Sequence, residues 1–276
     1  MDIGLVGKTA LITGGSSGVG RAIALALAAE GTHIAIADLN KDDTLLQEIQ
    51  ALGAHAFYVP TDVSNESHIN AMVKTTIAEL GHLDLFINNA AVTHHQPITQ
   101  ITTDAWLKTL HTNLSACIWA CREVCKHMIS HKQGSILIVG STAQFTQSYK
   151  EAAYHISKTG LRVYKNTLTL EMAPFGIRVN MLIPGHFQTA LTRGISAEHA
   201  TVMRQQIPLR RLGSTEELAA AALLLLSDKL SPYTTGAELT VDGGLHLRPL
   251  PLYSDDDIQN MNQSSFENCH DEESNG

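Results

Sequence analysis

The run SILIV at residues 135–139 is apolar at four consecutive positions, and that narrows what the chain can become. A strand with one wet face alternates apolar and polar residues, whereas a continuously apolar strand must be covered on both faces, as parallel strands are. Comparable aliphatic runs recur, predicting strands at 9–13, 33–37, 56–59, 85–88, 135–139, 179–183 and 239–241. Amphipathic segments between them predict helices near 18–30, 41–52, 65–80, 104–131, 151–173 and 215–227. Strand and helix in regular alternation mean an α/β fold, a single doubly wound parallel sheet with helices on both faces. Ligands of such sheets bind beyond the carboxyl ends of the strands, so the residues following each strand are the ones to read for function.

No Gly/Ser linker, repeat or low-complexity tract interrupts the chain before about residue 245, which predicts one domain over 1–245 and a C-terminal extension over 246–276. The formal charge of −8 sits almost wholly in that extension: residues 254–276 carry seven Asp and Glu and no Lys or Arg. The body is therefore nearly neutral, and charge gives no reason to expect a nucleic-acid partner. The tail has a disordered composition. Just before it, Leu245, Leu247, Leu250 and Leu252 are expected to dock in extended form. The N-terminus has no signal-peptide pattern, and the longest apolar run, Leu218 to Leu226, is half a membrane span. The expectation is a reducing, cytoplasmic setting without a membrane partner. Cys117, Cys121 and Cys125 recur every four residues on one helical face; their spacing fits no zinc pattern, so they are expected to be small buried hydrophobes and no metal is expected.

At the first strand end, ALITGGSSGVGRAIALALAAEG runs from a strand through Gly14, Gly15, Gly18 and Gly20 into a helix. Gly14, Gly18 and Gly20 would remove Cβ atoms from between the backbone and a phosphate, letting main-chain N–H groups and the helix N-terminus face a pyrophosphate. The strand before and helix after are the context that a dinucleotide site requires. The second strand ends in Asp38, where an acid binds adenosine ribose hydroxyls. A 2'-phosphate about 4 Å from that carboxylate would lose roughly 4 kcal/mol at an effective dielectric near 20. No Arg or Lys in the glycine loop offsets this, so the cofactor is expected to be NAD.

YHISK, residues 154–158, sets a phenol and an amine four residues apart, on one face of a helix. On a surface helix the pair would be idle. In a site, the phenol must exchange a proton near neutral pH although its reference pKa is about 10. Lowering it by about three units takes roughly 4 kcal/mol, which one ammonium at about 4 Å supplies at an effective dielectric near 20.

With TGGSSGVG at 13–20 and YHISK both present, the chain resembles the short-chain dehydrogenase/reductase family over about residues 5–245. Asp62 and Val63 in PTDVS match its adenine-side acid; Asn88, Asn89 and Ala90 match its NNAG motif, with Ala91 for the last glycine. Asn113 in HTNLS matches its helix asparagine, and Ser141 precedes Tyr154 by the family's usual 13 residues. Pro184 and Gly185, followed by Thr189, match the segment beside the nicotinamide, and TTGAELTVDGG at 234–244 matches the late strand.

The resemblance implies a Rossmann-type fold with NAD held by Gly14, Ser16, Ser17, Gly18, Val19, Gly20, Asp38, Asp62, Val63, Asn89, Ala90, Tyr154, Lys158, Pro184, Gly185 and Thr189. It implies that Tyr154 is the acid and base, that Lys158 tunes it and holds the nicotinamide ribose, and that Ser141 bonds the substrate oxygen. Asn113 would support a water joining Lys158 to solvent, or else merely cap or kink its helix. A homotetramer or homodimer would form partly through the 104–131 and 151–173 helices, and residues 191–213 would be a substrate lid.

Around the implied pocket stand His94, His95, Gln96, Gln144, Tyr149, His155, His186 and Gln188. Such polar walls suit a small oxygen-rich alcohol or ketone, of sugar, polyol or hydroxy-acid type, better than an acyl chain or steroid. The alternatives are a 3-oxoacyl-carrier-protein reductase, whose members usually favour NADPH, and a cofactor-sensing protein without catalysis, which the intact Ser, Tyr and Lys argue against.

Overall fold

The computed structural model of the chain describes residues 2–187 and 197–247. Gln188, Thr189, Leu250, Leu252 and the acidic tail lie outside the described residues. The strands are β1 (Thr9–Thr13), β2 (His33–Asp38), β3 (Ala56–Pro60), β4 (Leu85–Asn88), β5 (Gly134–Val139), β6 (Ile177–Pro184) and β7 (Glu238–Val241). They form one sheet in the order β3-β2-β1-β4-β5-β6-β7, with every pair parallel. The helices are α1 (Gly18–Ala29), α2 (Asp43–Ala51), α3 (Glu66–Leu80), α4 (Thr103–Leu110), α5 (Ala116–His131), α6 (Ala152–Met172), α7 (Ala197–Gln206) and α8 (Thr215–Leu226). None of the described helices is long and apolar enough to cross a membrane.

The apolar run of β5 has the cause its sequence suggests. Ile136 and Ile138 enter one core with Val124, Met128 and Leu161 of α5 and α6, while Leu137 and Val139 enter a second with Ile23, Leu27, Leu218 and Leu225 of α1 and α8. Cys117, Cys121 and Cys125 all belong to the first core, and burial pushes the Cys125 thiol up, so these are inert packing residues.

Three expectations need correcting. The 104–131 helix is broken: α4 ends at Leu110, a π turn spans His111–Ser115, and the Ala116 N–H reaches back five residues to the His111 carbonyl. The segment 191–213, read without helix, contains α7. The leucine segment after residue 244 starts as a helical turn, Leu245–Leu247, with Leu245 buried and Leu247 exposed, where extended chain was expected. Residues Met1–His246 form one unit and Leu247–Gly276 a second, of which only Leu247 is described.

The strand order reverses between β1 and β4, so connections diverge there and leave a crevice at their carboxyl ends. Packing of the β1–α1 turn keeps it open. A Cβ on Gly20 would lie 2.3 Å from the Gly14 carbonyl oxygen and 2.6 Å from Asn89 Nδ2, so only glycine lets α1 approach the turn. Gly20→Ala should cost about 2 kcal/mol or more in urea unfolding, as overpacking against backbone does. Gly53→Ala, at φ +86° with nothing within 4 Å of the added Cβ, should lose only about 1 kcal/mol. Equal losses would show that the contact at Gly20 is not what requires glycine.

Candidate active site

The crevice is a cavity of 340 Å³ lined by Gly14, Ser17, Gly18 and Val19 after β1, Asp38 at the end of β2, Asp62 and Val63 after β3, and Asn89 to Val92 after β4. Gly14 at φ +63° and Gly18 at φ +53° adopt the left-handed conformation that glycine permits. Ser17 precedes α1 without spending its side chain on a cap, and the first turn of α1 contains no acid, so the positive helix end faces the cavity unneutralised. Ala91, which stands where the family motif has glycine, is not at positive φ and fits without strain.

Two residues expected to hold the cofactor also shape the turn around the cavity. Ser16 is not among the lining residues: its N–H donates to Asp38 Oδ2 at 3.0 Å and its hydroxyl to the Asn40 carbonyl at 2.7 Å. Gly20 serves the approach of α1. Asn89 both lines the cavity and braces it, its amide donating to the carbonyls of Thr13 (3.1 Å) and Gly14 (2.9 Å) and its own N–H to Thr13 Oγ1 (3.0 Å). Thr13 was not singled out from sequence, because a threonine ending a strand carries no signal of that role.

Asp38 Oδ1 accepts from the Asn40 N–H at 3.2 Å, so both of its oxygens have backbone donors. Nearby cations are committed elsewhere: Arg21 to Asp42 and Glu48, Lys41 to Asp43. The Asp62 carboxyl is held below its usual range, first by the Ser64 hydroxyl and further by the Ser64 N–H and by Lys108 at 3.4 Å. Lys108, another cavity residue missed from sequence, comes from α4.

Ser141 follows β5 and opens the short turn Thr142–Gln144, its Oγ accepting from the Ala143 N–H at 3.1 Å. Burial raises the Tyr154 phenol above its ordinary pKa; a hydrogen bond with Ser141 opposes this and the Glu151 charge adds to it. The ammonium expected within about 4 Å of the phenol is engaged elsewhere. Lys158 Nζ donates to the Val139 carbonyl at 3.0 Å, 5.8 Å from the centre of the Tyr154 ring, and burial pulls its pKa down to about 8. In the protein alone, therefore, Lys158 does not lower the phenol.

Asn113 is buried, and the protein uses its whole amide. Oδ1 accepts from the Val92 N–H at 2.8 Å, and Nδ2 donates to the Val92 carbonyl at 2.8 Å and to Ser157 Oγ at 3.1 Å. The π turn presents Asn113 to the loop after β4, and Ser157 links it to α6 one residue before Lys158. These bonds hold the loop after β4 and helix α6 in register.

The polar wall expected for the substrate is mostly spent or exposed. His155 is buried with Nδ1 donating to the Ala143 carbonyl at 2.6 Å and Nε2 accepting from the Ser148 N–H at 3.1 Å, so it rivets the 142–148 turn. His94 contacts Thr109 Oγ1 at 2.9 Å, and Gln96 accepts from the Thr102 N–H at 3.1 Å. His95 (63% exposed) lies 3.4 Å from Glu151, and Tyr149 is 95% exposed. Gln144 remains: it is buried and neither end of its amide has a partner. His186 also remains, its pKa lowered by burial and partly restored by the charges of Glu151 and Asp242. Its neighbour Gly185 is fixed by the sheet: its N–H donates to the Val241 carbonyl of β7 at 3.0 Å, and a Cβ there would sit 2.5 Å from Asp242 Cβ. Pro184, the last residue of β6, pairs with Val241.

Comparison with known proteins agrees with this geometry. The family model described as Enoyl-(Acyl carrier protein) reductase matches residues 14–246. A protein of Chlamydia pneumoniae named 3-oxoacyl-[acyl-carrier-protein] reductase is 33% identical over 89% of this chain and 99% of its own length. Its namesake in Salmonella typhimurium is 33% identical over 87% and 98%. Among solved structures, a candidate short-chain alcohol dehydrogenase of Sinorhizobium meliloti superposes with a TM-score of 0.86 at 29% identity, covering 90% of this chain and all of that one. A candidate 2-deoxy-D-gluconate 3-dehydrogenase of Agrobacterium tumefaciens, with bound NADP, gives 0.82 at 27%, covering 90% and 99%. Joined to the glycine turn at the strand reversal and the Ser141, Tyr154 and Lys158 set beyond β5, these matches place the chain in the short-chain dehydrogenase/reductase family of oxidoreductases.

Proposed function

We propose that the chain interconverts a ketone and a secondary alcohol with NAD(H), and that the ketone is a 3-oxoacyl thioester presented on an acyl carrier. The observation that carries the reaction is the pairing of Tyr154 with the buried Lys158 on α6, Nζ 5.8 Å from the centre of the phenol ring, beside the turn that Ser141 opens after β5. The cavity fits a dinucleotide on its own terms: Gly14 and Gly18 leave no side chain over the turn, α1 offers its positive end, and Asp38 stands at the β2 end. When bound, the cofactor donates or accepts a hydride at its nicotinamide ring. In reduction Tyr154 Oη gives its proton to the carbonyl oxygen, Ser141 Oγ orients that oxygen, and the Lys158 charge stabilises the phenolate left behind. Asp38 supports NAD(H), since among the described residues no uncommitted cation beside it would offset its repulsion of a 2'-phosphate.

The substrate assignment follows the names of the Chlamydia and Salmonella relatives. The case for a small polar substrate has weakened, because His94, His155 and Gln96 are engaged within the protein. What still favours a sugar acid or polyol, as a second reading, is the unpartnered amide of Gln144 behind Ser141.

The buried ammonium costs stability. A lysine at about 8 in the fold, against 10.5 unfolded, weakens folding by about 3 kcal/mol wherever both forms are protonated. That cost is complete below pH 8, shrinks as pH rises from 8 to 10.5, and is absent above. The unfolding free energy of Lys158→Met minus that of wild type should therefore be larger, the variant relatively more stable, at pH 7 than at pH 10 by about 2 to 3 kcal/mol. A pH-independent difference would show that Lys158 keeps its ordinary pKa. For the activity, initial rates should be compared for a 3-oxoacyl thioester and for sugar acids and polyols, each with the phosphorylated and unphosphorylated cofactor, alongside Tyr154→Phe. The expected result is thioester reduction with NADH preferred, lost at least a hundredfold in the variant. Turnover confined to the polar alcohols would transfer the assignment to the second reading, and a preference for NADPH would refute the role given to Asp38.

A further inference from the structure

At the opposite end of the strands from the cofactor cavity, three histidines meet. His82 lies in the loop before β4, and His127 and His131 share one face of α5 four residues apart. One ring nitrogen from each lies within 4.8 Å of the other two. The rings are mutually in contact, with centroid separations of 4.9, 4.5 and 4.3 Å.

Their hydrogen bonds decide where the protons sit. His131 Nδ1 is 2.9 Å from the His127 carbonyl, which can only accept, so Nδ1 carries the hydrogen and Nε2 keeps a lone pair. His127 Nε2 accepts from the Leu83 N–H at 3.2 Å, which engages its single lone pair, so an ion bound at this nitrogen would displace that hydrogen bond. His82 Nε2 lies 3.5 Å from Asp84 Oδ1, so a hydrogen on Nε2 would face the carboxylate and leave the lone pair on Nδ1. That nitrogen is 3.1 Å from His127 Nε2. Either the hydrogen of one His82 tautomer or a cation can fill the space between them.

We propose that His82, His127 and His131 bind one divalent transition-metal cation of the zinc class. Ligand nitrogens 2.0–2.1 Å from zinc in a tetrahedron are about 3.3 Å apart, close to the His82 to His127 separation. The surroundings are those of a metal site. The distal nitrogen of His82 faces a carboxylate and that of His131 a backbone carbonyl, the partners that fix ring orientation in metal-binding histidines. Asp84 is itself fixed by the Thr9 N–H (2.9 Å) and hydroxyl (3.0 Å) and by Lys8 (3.3 Å). His131 is exposed, which gives the ion a way in and water the fourth position. The site lies at the amino end of β4, while Asn89 and the cavity lie beyond its carboxyl end. Its effect is therefore a cross-link between α5 and the α3–β4 loop, separate from hydride transfer.

The test uses full-length protein without an affinity tag, stripped with chelator and titrated with Zn²⁺ against a chromophoric competitor. One ion per chain is expected, with affinity reduced at least tenfold in His131→Gln and in His82→Gln and with cofactor binding unchanged in both. Zn²⁺ should raise the melting temperature of wild type and leave that of the variants unmoved. Independently of any substitution, Co²⁺ in the wild-type protein should give the visible absorption of a four-coordinate site. No stoichiometric uptake, or equal affinity in the variants, would overturn the proposal and assign the 3.1 Å contact to a shared proton.

Discussion

Beyond their last paired residues, β1 and β4 are held together by two side chains, Asn89 and Thr13, and the site depends on that clasp. The Asn89 amide donates to the Thr13 and Gly14 carbonyls, which a turn at left-handed Gly14 would otherwise leave without partners. Thr13 returns the contact by accepting the Asn89 N–H. The clasp is possible because Gly20 admits α1 against the same carbonyl, and its result is a cavity whose floor is backbone. The strand reversal alone would open a crevice there; the clasp gives that crevice a defined lining at which the α1 dipole is directed.

The side chains proposed for catalysis are held with similar economy but in a resting arrangement. Asn113 ties the loop after β4 to α6 through Ser157, and His155 ties the turn after Ser141 to the same helix. Tyr154 and Lys158 thus project from one helix whose position is set on two sides. Yet burial acts against both working forms, raising the phenol and lowering the amine. The Lys158 proton is directed at the Val139 carbonyl. The chain prepares the positions of its acid and base; the charge that would complete their tuning is the oxidised nicotinamide.

Much of this was legible in the sequence because it obeys local rules. Continuous apolar runs marked the parallel strands to within one or two residues, and glycines followed by a helix marked the cavity. What escaped has a common cause, since it depends on contacts between elements distant in sequence. The π turn at His111–Ser115 has no breaker residue to announce it; it exists because Asn113 finds Val92, 21 residues away. His155 reads as a pocket residue because it adjoins Tyr154, but neighbouring helical positions face different directions, and its ring points to the 142–148 turn. In the three-histidine cluster the i,i+4 pair His127 and His131 is readable as one helical face, but nothing in the sequence marks His82, 45 residues earlier, as its neighbour. The cysteines that did show a regular spacing are core.

The central claim is that Tyr154 becomes an effective acid and base only with cofactor in place. The direct measurement is the ionisation of its phenol, followed by NMR in protein carrying carbon-13 at tyrosine Cζ and assigned with Tyr154→Phe, first alone and then saturated with NAD. The account predicts a pKa above the ordinary tyrosine value in the protein alone and a clear fall on saturation. A phenol already low in the free protein, or one that NAD leaves unmoved, would contradict it.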